Sequence, residues 1–305
     1  MMLQIPGYRL EEVLYEGSHT IIYRARQVDE QPVVLKVLQA HQPTLEEMAR
    51  LKQEYKIAAN LKIEGVIKAY SLETFKNVTA LVLEDFGGLA LSQFIHANRL
   101  TLTKFLNIAI QLADTLEQLH QHQIIHKDIK PQNIIINPET EQVKITDFSI
   151  ASQLSRETQQ VSNPEILEGT LAYMSPEQTG RMNRTISFKS DLYSLGVTFY
   201  EMLTLRLPFE SQDPLELVHC HIAKLPIPPH HHDSTIPEPI SLMVMKLLAK
   251  NAEDRYQSAS GLKADLQICL DQLQTKGEID PFPLGQIDLS DQLLIPQKLY
   301  GREQE

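Results

Sequence analysis

The pattern of apolar and polar positions predicts a strand-rich first part of the chain. Tyr8 to Leu14 and Ile21 to Arg26 are predicted as two strands on either side of the polar turn 16–20. Residues 32–38 are apolar apart from Lys36, which predicts a third strand. From residue 45 to residue 61 the apolar positions return at helical spacing, so one helix is predicted there.

The later part of the chain reads mainly as helices. Residues 101–122 give the strongest signal, with apolar side chains at i, i+3 and i+4 spacing: Phe105, Ile108, Ala109, Leu112, Leu116 and Leu119. Further helices are predicted at 190–205, from Asp213-Pro214 onward, at 240–250 and at 258–273. Short strands are predicted at 78–86 and 143–146. The sequence therefore predicts a small β-rich part followed by a large helical part.

Composition narrows the class of protein. The 305 residues are 42% apolar and carry a formal net charge of -11, which argues against partners such as nucleic acid and anionic membrane surfaces. The two cysteines, Cys220 and Cys269, lie far apart, and residues 1–10 contain no apolar signal core. No apolar run reaches the ~20 residues of a membrane helix. We therefore expect a cytoplasmic globular protein without membrane insertion or a disulfide framework.

The segment 126–133, His-Lys-Asp-Ile-Lys-Pro-Gln-Asn, is the most informative stretch. It is a polar loop between two isoleucine-rich segments, which can hold polar groups still in a cleft of low dielectric. There Asp128 could accept a proton from a hydroxyl, Lys130 could neutralise a phosphoryl group, and Asn133 could bind a metal ion. The segment resembles the catalytic loop H-R-D-x-K-x-x-N of protein kinases, with Lys127 in the place of the arginine.

The first strands carry further parts of this resemblance. The turn 16–20 is similar to the glycine-rich loop that covers the ATP phosphates, although Gly17 alone of its three glycines is present. Lys36 matches the strand lysine that holds the α- and β-phosphates, with Val34 in place of the usual alanine. Glu54 on the predicted helix matches the glutamate that pairs with this lysine.

The resemblance also implies an adenine pocket and a metal site. Residues 83–88 are similar to the hinge between kinase lobes, where the Glu84 carbonyl and the Phe86 N–H would bond the adenine edge. By the same likeness Leu83 would be the gatekeeper residue. Leu14 and Ile22 would pack on the adenine ring. Asp147-Phe148-Ser149 resembles the D-F-G motif with serine for glycine, and implies that Asp147 binds Mg²⁺ together with Asn133.

Residues 169–177 resemble the segment G-T-x-x-Y-x-A-P-E, which shapes the substrate groove of protein kinases. The likeness implies that Thr170 bonds Asp128 and that Glu177 pairs with a buried arginine, for which Arg255 is the candidate. Asp191 matches the aspartate that holds the catalytic loop backbone. Residues 151–168 stand where an activation loop belongs, so phosphorylation there is a hypothesis.

Two histidine-rich stretches invite a metal interpretation that we set aside. In 219–221 the sequence is His-Cys-His on a predicted helix, and residues at i and i+2 do not share a helix face. The run 230–232, three histidines after two prolines, is predicted to be a mobile loop. Neither stretch is expected to be a metal site.

The resemblance implies an α+β, two-lobed protein-kinase fold that uses ATP and Mg²⁺ and phosphorylates Ser/Thr in protein substrates in signal transduction. Lys130 and Thr170 favour Ser/Thr over tyrosine. We expect the domain at 8–273, with an N-lobe at 8–85 and a C-lobe at 86–273. Residues 274–305 are expected to be a linker and the start of a missing downstream domain. They and residues 180–184 resemble large bacterial sensor kinases, in which an AAA-type ATPase domain, GAF and histidine-kinase domains accompany the kinase domain.

Two alternatives remain open. The missing glycines and Ser149 would suit a pseudokinase, a regulatory or scaffolding module of a larger sensor protein. Phosphorylation of a small molecule on the same fold is the other, although the segment 169–177 argues for a protein substrate. The polar and charged groups that the chemistry requires are all present in the sequence: Lys36, Glu54, Asp128, Lys130, Asn133 and Asp147.

Overall fold

The computed structural model describes residues 5–38, 43–75, 78–97, 99–154, 171–181 and 185–288. A small β-rich lobe precedes a large helical lobe, which confirms the predicted two-lobed α+β fold. The N-lobe contains β1 (Tyr8–Glu16), β2 (Thr20–Gln27), β3 (Pro32–Leu38), α1 (Leu45–Ala58), β4 (Ala69–Phe75) and β5 (Val78–Glu84). Its five strands form one antiparallel sheet in the order β1-β2-β3-β5-β4.

Local sequence explains why the N-lobe helix α1 begins where it does. Thr44 is the N-terminal cap of α1, and its hydroxyl accepts a hydrogen bond from the Glu47 N–H. The Glu47 carboxylate returns a bond to the Thr44 N–H, which completes a capping box. The helix predicted at 45–61 is present over Leu45–Ala58, with Leu51 buried in the core and Leu45 91% exposed at its start.

The C-lobe is mainly helical. Its elements are β6 (Leu89–Ala90), α2 (Leu91–Ala97), α3 (Leu102–Gln121), β7 (Ile124–Ile125), β8 (Ile134–Ile136), β9 (Val143–Ile145), β10 (Ser152–Gln153), α4 (Phe188–Thr204), α5 (Pro214–Ala223), α6 (Pro229–His232), α7 (Glu238–Leu247) and α8 (Ala259–Lys276). Residues 189–202 of α4 are all buried, so this helix lies inside the lobe and packs against α3 and α7. None of the helices in the described ranges is long and apolar enough to cross a membrane.

The run 230–232 was predicted wrongly as a loop. It lies in the one-turn helix α6, and its histidines have partners from distant parts of the chain. His230 Nδ1 is 2.7 Å from the Ser241 hydroxyl, and His232 Nε2 is 2.8 Å from the Tyr200 hydroxyl. These contacts stabilise a turn that the local sequence does not specify. In the other stretch, His221 is buried and bonds the Tyr193 hydroxyl.

The described part of the predicted linker packs against the C-lobe. α8 ends at Lys276, and Gly277 follows with a φ of +79°, which turns the chain back over the helix. Ile279, Phe282 and Leu284 then lie against the main hydrophobic core. Residues 289–305 lie outside the described residues, so the predicted downstream domain stays a prediction.

Candidate active site

The register of the N-lobe sheet places the predicted nucleotide-binding side chains on one face. Lys36 on β3 lies opposite Ile22 on β2, and Val34 lies opposite Leu83 on β5. Directly opposed residues, and residues two apart on one strand, point to the same side of a sheet. Ile22, Val34, Lys36 and Leu83 therefore share the face that the resemblance assigns to the nucleotide.

The turn between β1 and β2, residues 16–20, is the candidate phosphate lid. Leu14 lies in a bulge of β1 at the point where the strand reaches Ile22. The phenol ring of Tyr15 covers Gly17, since a β-carbon built on Gly17 would lie 2.7 Å from the Tyr15 hydroxyl oxygen. Tyr15 stands where the first glycine of the resemblance belongs, so an aromatic side chain occupies space that the family pattern leaves open.

Lys36 lies between two carboxylates. Its Nζ is 2.7 Å from Glu54 Oε2 on α1 and 3.1 Å from Asp147 Oδ1. The predicted ion pair between Lys36 and Glu54 is therefore present. Burial would lower the pKa of Lys36, but the two carboxylates outweigh it and the pKa is raised above its ordinary value.

The two carboxylates respond differently to the same lysine. Burial raises the pKa of Glu54 to about 7, because Lys36 only partly offsets the loss of solvation and Asp147 adds negative charge. Burial also acts to raise the pKa of Asp147, but Lys36 and the side chain of Ser149 hold it well below its ordinary value. Asp147 is thus the group held anionic in this cluster, as a ligand of a hard cation must be.

The catalytic loop lies between β7 and β8. Asp128 Oδ2 is 2.8 Å from Lys130 Nζ and accepts a hydrogen bond of 2.7 Å from Asn133 Nδ2. Asn133 Nδ2 also donates to the Asp128 carbonyl at 2.9 Å. The second carboxylate oxygen of Asp128 is buried and has no hydrogen-bond partner within the described part of the chain. One oxygen is thus fixed by neighbours, while the other keeps its capacity to accept a proton.

A buried carboxylate from α4 holds the backbone of this loop. Asp191 is 0% exposed and accepts hydrogen bonds from the N–H groups of His126 and Lys127 at 2.9 and 2.8 Å. His120 Nε2 lies 3.2 Å from the same carboxylate. Lys127 has a φ of +69°, a left-handed conformation that is costly for a residue with a β-carbon. The two hydrogen bonds that the charged Asp191 carboxylate accepts stabilise this conformation.

The His126 ring joins the catalytic loop to the segment of Asp147. Its Nδ1 accepts a hydrogen bond of 3.2 Å from the Asp128 N–H, and its Nε2 donates to the Thr146 carbonyl at 3.1 Å. The ring also contacts Phe148 edge-on at 4.8 Å between centroids. The position of Asp128 is therefore tied to that of Asp147 through one side chain. Sequence reasoning missed this role, although the histidine is part of the motif.

Strand pairing brings the two predicted magnesium ligands to the same end of a hairpin. β8 and β9 are antiparallel, Asn133 immediately precedes β8, and Asp147 follows β9. The Thr146 N–H also donates to the Asn133 carbonyl at 2.9 Å. Because Asn133 Nδ2 is used by Asp128, its amide oxygen is the atom left for a cation. A carboxylate and an amide oxygen fit the preference of Mg²⁺ for oxygen ligands.

The hinge residues are fixed by side chains from the C-lobe. The Glu84 carboxylate pairs with Lys144 at 2.7 Å, and the Phe86 carbonyl accepts a hydrogen bond of 2.7 Å from Asn137 Nδ2. Lys144 also lies over the Phe86 ring, 5.0 Å from its centroid. Neither partner was predicted, because both are distant in sequence. The roles of Glu84 and Phe86 in adenine binding stay predictions.

Residues 171–178 are anchored to the helical lobe. Glu177 and Arg255 form a buried bidentate ion pair with distances of 2.7 and 2.9 Å, as predicted. Gln178 Nε2 donates to the Lys127 carbonyl at 2.9 Å, a contact to the catalytic loop that sequence reasoning missed. Thr170, predicted to bond Asp128, lies outside the described residues.

Comparisons with known proteins agree with this geometry. Residues 8–266 match the model of the protein kinase domain family. A probable serine/threonine-protein kinase of Clostridium acetobutylicum is 30% identical over 263 residues, which are 85% of this chain and 39% of that protein. Serine/threonine-protein kinase PknB of Mycolicibacterium smegmatis is 31% identical over 268 residues, 85% of this chain and 42% of PknB. The chain thus spans about two fifths of these relatives. It belongs to the protein kinase domain family.

Proposed function

We propose that this chain transfers the γ-phosphoryl group of ATP to serine or threonine hydroxyls of protein substrates. The observation that carries the proposal is the joint assembly of two clusters. Lys36, Glu54 and Asp147 form one, and Asp128, Lys130 and Asn133 form the other. The His126 ring links the segments that carry them. A module that had lost catalysis would not need both clusters.

Each side chain has a role that follows from its position. Asp128 orients the substrate hydroxyl and accepts its proton through the carboxylate oxygen that has no other partner in the described residues. Lys36 holds the nonreacting phosphates, and Glu54 keeps Lys36 in place. Lys130 stabilises negative charge on the transferring group beside Asp128.

Mg²⁺ is the cofactor that this site would use. Asn133 and Asp147 would hold it, and it would neutralise charge on the β- and γ-phosphates. The protein itself would mainly position the reacting groups, and such positioning supplies most of the rate enhancement in phosphoryl transfer. The adenine would be enclosed by the side chains of Leu14, Ile22, Val34 and Leu83. The Glu84 carbonyl and the Phe86 N–H would form hydrogen bonds with its edge.

The experiment is Mg·ATP-dependent incorporation of phosphate into the protein itself and into a generic Ser/Thr substrate. Asp128→Asn should lower incorporation by more than the ~10²–10⁴ of proton transfer alone, since positioning of the hydroxyl is lost too. Asp114→Asn is the matched control, because Asp114 is half-exposed and pairs with Lys263 far along the C-lobe surface. Its activity should stay at the wild-type level.

One observation favours the alternative of a pseudokinase that serves as a regulatory or scaffolding module. The Tyr15 ring covers Gly17, where backbone would have to approach phosphates closely. If Mg·ATP raised the Tm of the wild type but no phosphate were incorporated, the chain would be a pseudokinase and the proposed activity would be refuted. Incorporation that Asp128→Asn removes would exclude it.

We also propose that the domain acts in the cytoplasm within a larger sensor protein that carries an AAA-type ATPase domain. Support comes from the resemblance of residues 180–184 and 274–305 to such proteins and from the apolar residues after position 288. An antibody against the kinase domain should detect a protein far larger than 34.7 kDa in cell extracts. A single band at that mass would contradict the proposal.

A further inference from the structure

In the segment after α8, Asp288 reaches back to the start of the same helix. We call residues 277–288 the C-terminal strap. Asp288 Oδ1 accepts hydrogen bonds of 2.9 Å from both the N–H and the hydroxyl of Ser258, the N-terminal cap of α8. Asp288 Oδ2 accepts a bond of 2.7 Å from the Gln257 N–H. Three donors thus converge on one carboxylate, which fixes the strap against this turn.

The helix is adapted to the strap at one position. A β-carbon built on Gly261 would lie 2.3 Å from Asp288 Oδ1, a distance that no side chain tolerates. Gly261 has an ordinary helical backbone, so alanine would be favoured there by helix propensity alone. The glycine instead leaves the space that the Asp288 carboxylate fills.

From Asp288 a short series of contacts leads to Arg255, which anchors residues 171–178 through Glu177. Gln257, whose N–H binds Asp288, accepts a hydrogen bond from Lys189 and donates one of 2.7 Å to the Arg255 carbonyl. Arg255 in turn donates to the Lys189 carbonyl at 2.8 Å and to both carboxylate oxygens of Glu177. Arg255 is fully buried, so its position depends on these neighbours.

This series of contacts ends at the catalytic loop. Gln178, next to Glu177, donates to the Lys127 carbonyl, and Lys127 directly precedes the proposed base Asp128. We infer that Asp288 is a positioning residue of the phosphoryl transfer: it fixes Gln257 and Arg255, and through Glu177 and Gln178 the substrate side of the site. This inference rests on the proposed function. Lys36 and Glu54 lie in the other lobe, and Asn133 and Asp147 are not members of this series of contacts, so we expect the KM for ATP to change little.

The kinetic test uses the full 305-residue chain. Asp288→Ala should lower kcat/KM for the protein substrate by about five- to tenfold, the usual size of coupling through a contact network, and leave KM for ATP within about twofold. Asp288→Asn should recover part of the loss, because its amide oxygen still accepts one hydrogen bond. Asp280→Asn is the control, since Asp280 lies in the same strap and its carboxylate pairs with the exposed Lys276. It should behave as wild type.

Gly261→Ala separates positioning from general stability. It adds a good helix former but displaces the Asp288 carboxylate, so activity should fall as in Asp288→Ala while thermal stability changes far less. Full activity in both variants would overturn the inference. An equal loss of kcat/KM for ATP and for protein substrate, in step with a lower Tm, would overturn it as well, since the strap would then be merely structural.

Hydrogen exchange supplies a readout that does not require catalysis. The amides of Met174 and Gln178 form turns with the Leu171 and Ser175 carbonyls, and they should exchange faster in Asp288→Ala than in Asp280→Asn. If the wild type transferred no phosphate, the proposed function would fail, and this measurement would still decide whether Asp288 positions the segment 171–178. Unchanged exchange would refute it.

Discussion

The catalytic loop and the candidate phosphate lid, residues 16–20, are held by different means. In the catalytic loop, the fully buried Asp191 binds two backbone N–H groups and fixes Lys127 in a left-handed conformation. In the lid, His19 Nδ1 pairs with Glu47 Oε1 on α1 at 2.7 Å, and the His19 side chain is 72% exposed. The first arrangement is rigid, whereas the second is screened by water.

This difference fits the roles that we propose for the two regions. In the proposed reaction, the group that accepts the proton would have to stay within a fraction of an ångström of its place, which suits a loop with buried, charged hydrogen bonds. The candidate lid would have to admit and release a nucleotide, for which weak contacts suffice. The lid also tolerates Tyr15 in a place where the family pattern has glycine, while the catalytic loop departs from its pattern only at Lys127. The comparison predicts graded effects of mutations.

The largest effect should come from the anchor below the catalytic loop. Arg255→Ala leaves the Glu177 carboxylate buried without its partner and should lower the free energy of unfolding by ~3–5 kcal/mol. Burial alone would raise the pKa of Glu177, but Arg255 and Ser190 bring it below its ordinary value. The stability from this pair is therefore present above pH 4.5, the ordinary value, and is lost as pH falls.

Urea unfolding measures this loss, and the double variant Arg255→Ala with Glu177→Gln is its control. Because the double variant leaves no buried charge, it should be more stable than Arg255→Ala alone. A double variant that is less stable would show that lost packing of the arginine, rather than the unpaired charge, dominates. In either case the effect should exceed that of any change in the lid.

The next effect should come from Asp191→Asn. One carboxylate oxygen becomes an NH₂ group that faces a backbone N–H of His126 or Lys127, and the left-handed Lys127 loses support. We expect ~2–3 kcal/mol less stability, in line with hydrogen bonds to charged groups, and a lower kcat. Urea unfolding and steady-state kinetics measure both. If kcat stayed unchanged, the loop would be rigid without Asp191, and the contrast with the lid would lose its basis.

The sequence predicted these anchors well because they belong to a motif or to a strong periodic pattern. α3 was predicted at 101–122 and runs from Leu102 to Gln121, since apolar spacing holds over its whole length and Thr101 caps its start. Asp191, Glu177 and Arg255 were identified from their places in motifs. Their assigned contacts are present, while the chemical roles of the site residues stay predictions.

The features that were missed depend on contacts between distant parts of the chain. The turn at 230–232 depends on Tyr200 and Ser241, and the cap at Ser258 depends on Asp288. In α1, Leu51 is buried while Leu45 is exposed, and the weak helical pattern of this segment does not distinguish the two. Single-sequence patterns carry the period of an element but not the identity of its remote partners.

A medium effect is expected at Glu54 on α1, which belongs to neither region and pairs with Lys36. Its pKa of about 7 lies above the ordinary 4.5, so its contribution to stability is full below pH 4.5 and is lost as pH rises through 7. Over the same range the carboxylate ionises and completes the pair with Lys36. Below pH 7, kcat/KM for ATP should therefore fall by about tenfold per pH unit.

The pH profile of kcat/KM for ATP tests this expectation, because it reports ionisations of the free enzyme. Glu54→Gln should be less active at pH 8 and should show no such dependence near pH 7, because the titrating group is gone. A wild-type profile that is flat between pH 5 and 8 would place the ionisation of Glu54 outside this range. The pair with Lys36 would then be as firmly fixed as the contacts of Asp191.

The smallest effect should come from the lid itself. His19→Ala removes the contact with Glu47, and exposed pairs of this kind contribute ~0–1 kcal/mol, which corresponds to at most about a fivefold rise in KM for ATP. The capping box of Thr44 and Glu47 remains, so α1 should keep its start and kcat should stay unchanged. His19→Gln, which can still bond Glu47, should lie between this variant and the wild type. A large fall in kcat for His19→Ala would mean that the lid positions the reacting phosphate as strictly as the catalytic loop positions Asp128. The contrast between a rigid catalytic loop and a weakly held lid would then be wrong.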